Sequence, residues 1–219
     1  MSPAELPRFV VFEGVDGSGK TTLSRALARL YRILDPQAEL FAGAFPGSVA
    51  GSLGEWVYRF HHGKALDAPP VDRVPTASLQ LLHVAAHIEA IINTIAPTLD
   101  RGGRVILDRF WWSTYAYARL HLGEELVWAL INPEIRMWGE VQPNVIVYLS
   151  RENSLKVDEL SAEKHHRLDQ LYRELIKTQR EAGRRVLALS NDLDLNVTWA
   201  NLLSQLRLPH MDLAEIPGP

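Results

Sequence analysis

A glycine-rich segment near the start of the chain has the residue types and the spacing of a phosphate-binding loop. Residues 14–21 read GVDGSGKT and fit G-x-x-x-x-G-K-[ST] at every fixed position. In such a loop, backbone N–H groups surround a phosphate at the positive end of a helix. We expect Lys20 to reach the β- and γ-phosphates of a nucleoside triphosphate, and the Thr21 hydroxyl to hold Mg²⁺. The predicted triphosphate-binding residues are Gly14, Asp16, Gly17, Ser18, Gly19, Lys20, Thr21 and Thr22.

The residues on either side of this segment predict the strand and the helix that such a loop needs. Residues 9–12 form an apolar run that is typical of a buried strand. Residues 23, 26, 27 and 30 are apolar and follow the spacing of one helix face. Strand, loop and helix therefore come in the required order, which disfavours the alternative of an ordinary glycine turn before a helix.

A second pair of polar residues follows another apolar run. Asp108 and Arg109 come directly after Val105-Ile106-Leu107. A carboxylate at a strand end can hold Mg²⁺ directly or through water. A guanidinium can bind a phosphate through two parallel hydrogen bonds and offset charge as the γ-phosphoryl group moves. The alternative for this pair is a surface salt bridge at a strand end.

Strands and helices alternate along the rest of the chain. Further strands are predicted at 38–41, 105–107, 145–149 and 186–189, and helices at 53–60, 81–95, 110–117, 126–138, 165–182 and 199–206. Pro97 is expected to kink or end the helix predicted at 81–95, and Pro133 is expected to interrupt the helix predicted at 126–138. Alternating elements predict a parallel sheet with helices on both faces and a site at the carboxyl ends of its strands. Asp108 and the glycine loop would then share one crevice.

The composition limits the classes of protein to consider. The 219 residues suit a single domain, predicted over residues 1–208, with a flexible tail over 209–219. The absence of cysteine excludes disulfides and thiolate chemistry, and a net charge of −3 gives no basic field for nucleic acid. Polar residues interrupt the apolar segment 79–95, so no membrane span is expected. The start of the chain lacks the pattern of a signal peptide, and we expect a cytoplasmic protein.

Three segments together resemble the thymidylate kinase family. FEGVDGSGKTT at 12–22 is similar to the family's phosphate loop. LDRFWWSTYAY at 107–117 resembles its Asp-Arg-Tyr-x-x-Ser-x-x-Ala-Tyr segment, and PNVIVYLSRENSLK at 143–156 resembles a strand and the helix that follows it. The resemblance implies a P-loop NTPase fold, with a five-stranded parallel sheet in the order 2-3-1-4-5. It also implies transfer of phosphate from ATP, with Mg²⁺, to a nucleoside monophosphate, dTMP being the default acceptor.

The resemblance also implies roles for individual residues. Arg109 would clamp the phosphates, Ser113 would lie near the base, and Asp16 would face the acceptor. The implied catalytic residues are Lys20, Arg109, Asp108, Asp16 and Arg167, and the implied metal ligands are Thr21 and Asp108. The implied acceptor-binding residues are Glu13, Phe45, His83, His87, Arg109, Ser113 and Tyr117. Family members are commonly dimers, so the resemblance also implies that this chain could form a homodimer.

The chain departs from the family pattern on the acceptor side. The family has Thr-Arg-Glu-Pro-Gly-Gly-Thr where residues 43–49 read GAFPGSV, so both charges are missing. The family has Leu-Leu-Phe-x-Ala-Asp-Arg where residues 81–87 read LLHVAAH. His83 could still stack on a base and His87 could still donate to a carbonyl. The acceptor therefore stays open: a nucleoside or another small molecule could take its place, or kinase activity could have been lost.

Two further features complete the expectations. A short lid is predicted at about 150–167, in which Arg167 would contact phosphate; the alternative is a solvated helix face. A GTPase switch is disfavoured, because residues 100–103 have the Asp-x-x-Gly spacing but precede their strand.

Overall fold

The computed structural model describes residues 6–47, 49–65, 68–152, 162–192 and 194–216. One sheet of five parallel strands crosses it, in the order β2-β3-β1-β4-β5. The strands are β1 (Phe9–Gly14), β2 (Leu40–Ala44), β3 (Arg104–Asp108), β4 (Val145–Ser150) and β5 (Val186–Ser190). This architecture confirms the predicted α/β fold and its strand order.

The register of the central strands brings the predicted functional segments to one edge of the sheet. Phe12 of β1 and Ala44 of β2 both pair with Asp108, the last residue of β3. The Arg109 N–H then donates to the Phe12 carbonyl at 2.8 Å, and the Phe45 N–H donates to the Asp108 carbonyl at 2.9 Å. The segments that follow β1, β2 and β3 therefore leave the sheet side by side.

Eight α-helices cover the two faces of the sheet in the described part of the chain. They are α1 (Lys20–Leu34), α2 (Leu53–His61), α3 (Thr76–Ala90), α4 (Ala96–Asp100), α5 (Trp111–Ala118), α6 (Glu124–Trp138), α7 (Ala162–Glu181) and α8 (Leu195–Leu206). Apolar residues of α1 and α8 pack with Val10 and Phe12 on one face. Residues of α3, α5, α6 and α7 pack with Phe9 and Val11 on the other face. Alternate residues of β1 thus serve two separate cores.

The structure corrects two predictions about proline. A π-helical turn, Ile91–Ile95, follows α3, and the helix then continues as α4 through Pro97 to Asp100. The wider π turn accommodates a residue that lacks an N–H, so Pro97 does not end the helix. Likewise, α6 continues through Pro133, with Ile131 and Trp138 buried on either side of it. Core packing offsets the loss of one helical hydrogen bond there.

Two other segments can be compared with the expectations. The second strand lies at Leu40–Ala44 rather than 38–41, because its pairing with β3 extends to the end of that strand. The segment after Leu208 returns to the α8 face: Trp199 Nε1 donates to the Met211 carbonyl at 2.7 Å, and Ile216 is buried. The described part of the predicted tail therefore has contacts with the rest of the domain, and its flexibility stays a prediction.

One helical stretch among the described residues, Thr76–Asp100, is long and apolar enough to cross a membrane by length and composition alone. Its residues Val84, Ile91 and Ile95 belong to the core beneath the sheet. A buried core helix of a globular domain meets the same criterion, so this stretch does not indicate a membrane protein.

Candidate active site

The phosphate loop adopts a backbone conformation that requires glycine. Gly14 and Gly19 have φ values of 141° and 98°. A Cβ on Gly14 would lie 2.2 Å from the Leu149 carbonyl oxygen, and one on Gly19 would lie 2.6 Å from Asn191 Nδ2. Gly19 also begins α1 without any side-chain cap. The N–H groups at the start of α1 therefore have no side-chain cap and could bind an anion.

Lys20 is buried at the end of this loop. Its Nζ donates to the Val15 carbonyl at 2.7 Å. Burial, together with the positive charge of Arg109, lowers the pKa of Lys20 to about 8, although the Asp108 and Asp16 carboxylates oppose the shift. A phosphate placed in the loop would restore the charge of this ammonium group.

Thr21 and Asp108 together offer oxygen ligands of the kind that Mg²⁺ takes. The Thr21 hydroxyl donates to Asp108 Oδ2. Asp108 is buried, and its Oδ1 has no hydrogen-bond partner among the described residues. An unsatisfied buried carboxylate oxygen beside a hydroxyl fits a hard cation, which takes oxygen ligands. These two residues would hold the ion, and the triphosphate and water would complete its coordination.

Arg109 and Tyr117 form a hydrogen-bonded cluster with Asp16 of the phosphate loop. Arg109 Nη2 donates to Asp16 Oδ1, and the Tyr117 hydroxyl donates to Asp16 Oδ2 at 2.8 Å. The Arg109 guanidinium lies 5.6 Å from the centre of the Tyr117 ring. Arg109 has a φ of 84°, which is unusual for a residue with a side chain and directs it back across the strand ends. The structure thus brings together three residues that the sequence assigned to the site.

Glu13 lies inside the protein, and it organises the start of α5. Its carboxylate is fully buried and accepts from the Phe110 N–H at 2.8 Å and the Tyr172 hydroxyl at 3.2 Å. It also accepts from the N–H and the hydroxyl of Ser113, at 3.0 and 2.7 Å. Burial raises the pKa of Glu13, and the hydrogen bonds from Ser113 oppose the shift.

The same contacts explain where Ser113 lies. Its hydroxyl also accepts from Arg109 Nη1 at 2.9 Å, so Glu13, Ser113 and Arg109 form one chain of polar contacts. The expectation was that Glu13 and Ser113 would contact the acceptor. The structure instead places both side chains in the interior, where they position Arg109, because the N–H groups at the start of α5 need a buried acceptor.

Phe45 and His87 pack against each other beneath the acceptor side. Their rings are stacked, with centres 4.2 Å apart and planes at 24°. Both residues are buried, and His87 Nδ1 lies 2.7 Å from Glu134 Oε2. Glu134 is itself fully buried and also accepts from Trp138 Nε1 at 3.2 Å. Sequence reasoning missed Glu134, since only the tertiary packing of α6 against α3 shows that this acid has a histidine partner.

His83 is bonded to another histidine that the sequence did not assign to the site. The Nε2 atoms of His61 and His83 lie 2.6 Å apart. Burial lowers the pKa of His83 well below its ordinary value, with smaller contributions from His87, His61 and Arg109. Burial also lowers the pKa of His61, together with the charge of His62. One ring must accept while the other donates, so at least one of the two is neutral.

Half of the predicted lid lies outside the described residues, which omit 153–161. Arg167 lies on α7, where its Nη1 donates to Gln170 Oε1 at 3.4 Å. Its proposed contact with phosphate remains a prediction.

Asn191 contacts the phosphate loop from the far side and was missed in the sequence. Its Nδ2 donates to the Ser18 carbonyl at 2.8 Å, and its backbone N–H donates to the Ser150 carbonyl at 3.0 Å. The Thr198 hydroxyl, 3.1 Å from Asn191 Oδ1, fixes the orientation of the amide. The available signal was position: Asn191 directly follows β5, at the edge where the other strands end.

Comparisons with known proteins agree with this arrangement. The family model described as thymidylate kinase matches residues 66–207. The chain is 31% identical over 169 residues to a thymidylate kinase of Synechococcus sp. (strain RCC307), covering 71% of this chain and 76% of that protein. It is 29% identical over 211 residues to one of Wolbachia pipientis subsp. Culex pipiens (strain wPip), covering 91% and 95%.

The fold has a solved counterpart as well. A crystal structure of thymidylate kinase from Ehrlichia chaffeensis superposes with a TM-score of 0.71, covering 91% of this chain and 98% of that one at 24% identity. At that identity the likeness supports the fold alone. The family match covers more than half of the chain, however, and the 31% identical relative spans over two thirds of it. This chain therefore belongs to the thymidylate kinase family, whose named members are nucleotide kinases.

Proposed function

We propose that the protein transfers the γ-phosphate of ATP, with Mg²⁺, to a nucleoside monophosphate, and that dTMP is the first acceptor to test. The observation that carries this proposal is the Asp16–Arg109–Tyr117 cluster, in which Asp16 of the phosphate loop accepts hydrogen bonds from Arg109 and Tyr117. It joins a guanidinium to a loop that already has Lys20 and the Thr21–Asp108 pair. Relatives named thymidylate kinase support the choice of dTMP.

The residues on the triphosphate side act by position and charge. The N–H groups at the start of α1 bind the phosphates, and Lys20 exchanges its Val15 carbonyl partner for a phosphate oxygen. Thr21 and Asp108 would hold Mg²⁺, which would offset charge on the β- and γ-phosphates. Phosphoryl transfer needs little covalent help from a protein, so fixed positive charge supplies most of the rate enhancement.

On the acceptor side, the reaction requires a group that binds the acceptor phosphate rather than a general base. The oxygen of a monophosphate is already anionic, so no residue has to remove a proton from it. The Arg109 side chain is 29% exposed and keeps donors available beside those used by Asp16 and Ser113. It can therefore bind the phosphate of the acceptor and offset charge as transfer proceeds. Glu13 holds the start of α5, and through Ser113 it keeps the guanidinium in place.

A second candidate is transfer to a monophosphate other than dTMP. His83 and His87 stand where the family has an aromatic residue and an arginine. His87 is paired with Glu134, and its ring is covered by Phe45. A base would then find no arginine at this position, because the histidine that replaces it is buried, and the donors available to the base would differ from those of the family.

The experiment is ADP release from ATP and Mg²⁺ with a panel of nucleosides and nucleoside monophosphates. We expect turnover that depends on a monophosphate, with formation of the matching diphosphate, and none from the Lys20→Ala variant. Preference for a monophosphate other than dTMP would favour the second candidate. Tight ATP binding with no acceptor-dependent ADP release would refute both and indicate a nucleotide-binding protein without kinase activity.

A further inference from the structure

Helix α1 presents three arginines along one face. Arg25, Arg29 and Arg32 recur at i, i+4 and i+7, which places them on the same side of the helix. All three line one cleft of about 720 Å³. Like charges at this spacing destabilise a helix, so the arrangement is unfavourable unless a negative group is bound nearby. The feature stands out in a chain whose net charge is −3.

These arginines have no negative partner in the described part of the chain. Several other arginines there have an acidic partner, as Arg104 has Asp35 and Arg173 has Asp169. No described residue forms an ion pair or a hydrogen bond with the side chains of these three arginines. Arg29 Nε is moreover buried without an acceptor. A buried N–H of a charged group without an acceptor is costly, so the site lacks an anion that a ligand could supply.

The other walls of the cleft leave room for such a ligand. The end of β2, residues 42–44, and Gly47 contribute surfaces with little or no side chain. Tyr58, which is 46% exposed, adds an aromatic face. Among the lining residues, the only carboxylate is Asp108, at the end of the cleft where Thr21 also lies. The long wall formed by α1 is therefore positive.

The cleft lies apart from the proposed acceptor site. Phe45, next to His87, belongs to the core on the face of the sheet that α3 and α6 cover. Helix α1 and Ala42 of β2 pack on the opposite face. A ligand on the α1 arginines would thus reach the Thr21–Asp108 pair from the side of the sheet opposite to His87.

From these features, we propose that the α1 arginines form a second anion-binding site, which takes a ligand with a chain of phosphoryl groups. Arg25 and Arg32 are seven residues apart, or about 10 Å along the helix axis. A single phosphate can contact only neighbouring members of the row, whereas a polyphosphate chain can contact all three. Bidentate hydrogen bonds from guanidinium groups suit phosphate oxygens. Inorganic polyphosphate and the triphosphate of a nucleotide share this chemistry.

Binding of inorganic tripolyphosphate to the full chain tests the proposal. The phosphate loop is first saturated with the β,γ-imido analogue of ATP and excess Mg²⁺, and titration calorimetry then follows a second event. We expect tripolyphosphate to bind more tightly than orthophosphate, with an affinity that falls as salt rises. Titration with GTP distinguishes a nucleotide ligand from inorganic polyphosphate. If the site takes a nucleotide, Tyr58→Ala should weaken the binding of GTP, whereas a site for polyphosphate should not depend on Tyr58.

Two variants and one control make the result specific. Arg29→Gln and Arg32→Ala should each weaken tripolyphosphate binding by about tenfold or more, as expected when a charge-assisted hydrogen bond is lost. Arg136→Ala, which removes an exposed arginine from α6, should leave it unchanged. Arg32 is exposed, so its loss should not affect folding, and thermal melting checks this. No second event, or equal binding by all variants, would overturn the proposal.

Discussion

The carboxylate of Glu13 accepts hydrogen bonds from both the backbone N–H and the hydroxyl of Ser113, at 3.0 and 2.7 Å. The same hydroxyl accepts from Arg109, so a residue buried in β1 determines where the guanidinium lies. The chain of contacts joins two segments about 100 residues apart. It also gives the Glu of the phosphate-loop segment a positioning role, separate from contact with substrate.

Glu13→Gln should impair both activity and stability. Its amide offers one acceptor oxygen, and its NH₂ group would face donors, so a buried hydrogen bond is lost at a cost of about 1–3 kcal/mol. We expect a lower kcat with little change in the KM for ATP, because the triphosphate loop keeps its own contacts. Steady-state kinetics and urea unfolding measure both effects. Unchanged kcat in a destabilised variant would restrict Glu13 to a structural role.

Binding of ATP should weaken as the pH rises through about 8. Burial lowers the pKa of Lys20 to about 8, so the ligand-free protein loses this charge above that pH. The affinity for a nonhydrolysable ATP analogue, measured across this range, reports the effect. Lys20→Arg keeps a permanent charge and should show a flatter profile. Identical profiles for the two proteins would show that another group is responsible.

Arg109→Ala should lower kcat by a factor on the order of 10³, the size of effect seen for arginines that stabilise phosphoryl transfer. The variant removes a charge that lies between Asp16 and Ser113. Kinetics with the best acceptor of the panel measure the loss, and circular dichroism checks the fold. Arg109→Lys restores charge without the planar fork, so we expect only partial recovery. A shifted melting temperature with intact activity would make Arg109 structural.

The His61–His83 contact should make stability sensitive to acid. Burial lowers both pKa values in the folded protein, so below the ordinary histidine pKa of 6.5 the unfolded chain binds more protons. The free energy of unfolding therefore falls as the pH drops through this range. Urea unfolding at about pH 7.5 and about pH 5.5 measures the loss.

The matched variant for this prediction is His83→Gln, which can still bond to His61 but does not titrate. It should lose less stability between the two pH values than the parent protein does. His121→Gln, at an exposed turn, should behave like the parent. Equal acid sensitivity in all three proteins would contradict the assignment to this histidine pair.

The sheet and the triphosphate half of the site could be predicted because their signals lie in short stretches of sequence. The G-x-x-x-x-G-K-T spacing and the apolar runs lie within short windows, and parallel strands bring their carboxyl ends to one edge. Thr21 and Asp108 were therefore found together, although 87 residues separate them.

Contacts set by tertiary packing were not predictable in this way. The His87–Glu134 pair depends on how α3 lies against α6, and no local pattern marks either residue as buried. The resemblance assigned Glu13 to the acceptor, whereas its buried carboxylate accepts the N–H groups at the start of α5. Pro133 was expected to break a helix that core contacts hold continuous.

The contacts of the glycine loop have a consequence for its conformational freedom. Gly14 fits closely against the Leu149 carbonyl, and Asn191 bonds to the carbonyl of Ser18. The loop is therefore anchored to β4 and to the segment after β5 before any nucleotide arrives. The conformational entropy of its backbone is lost during folding rather than on binding, so the loop is preorganised for phosphate. Weakening the Asn191 contact should thus slow the capture of ATP more than it speeds release.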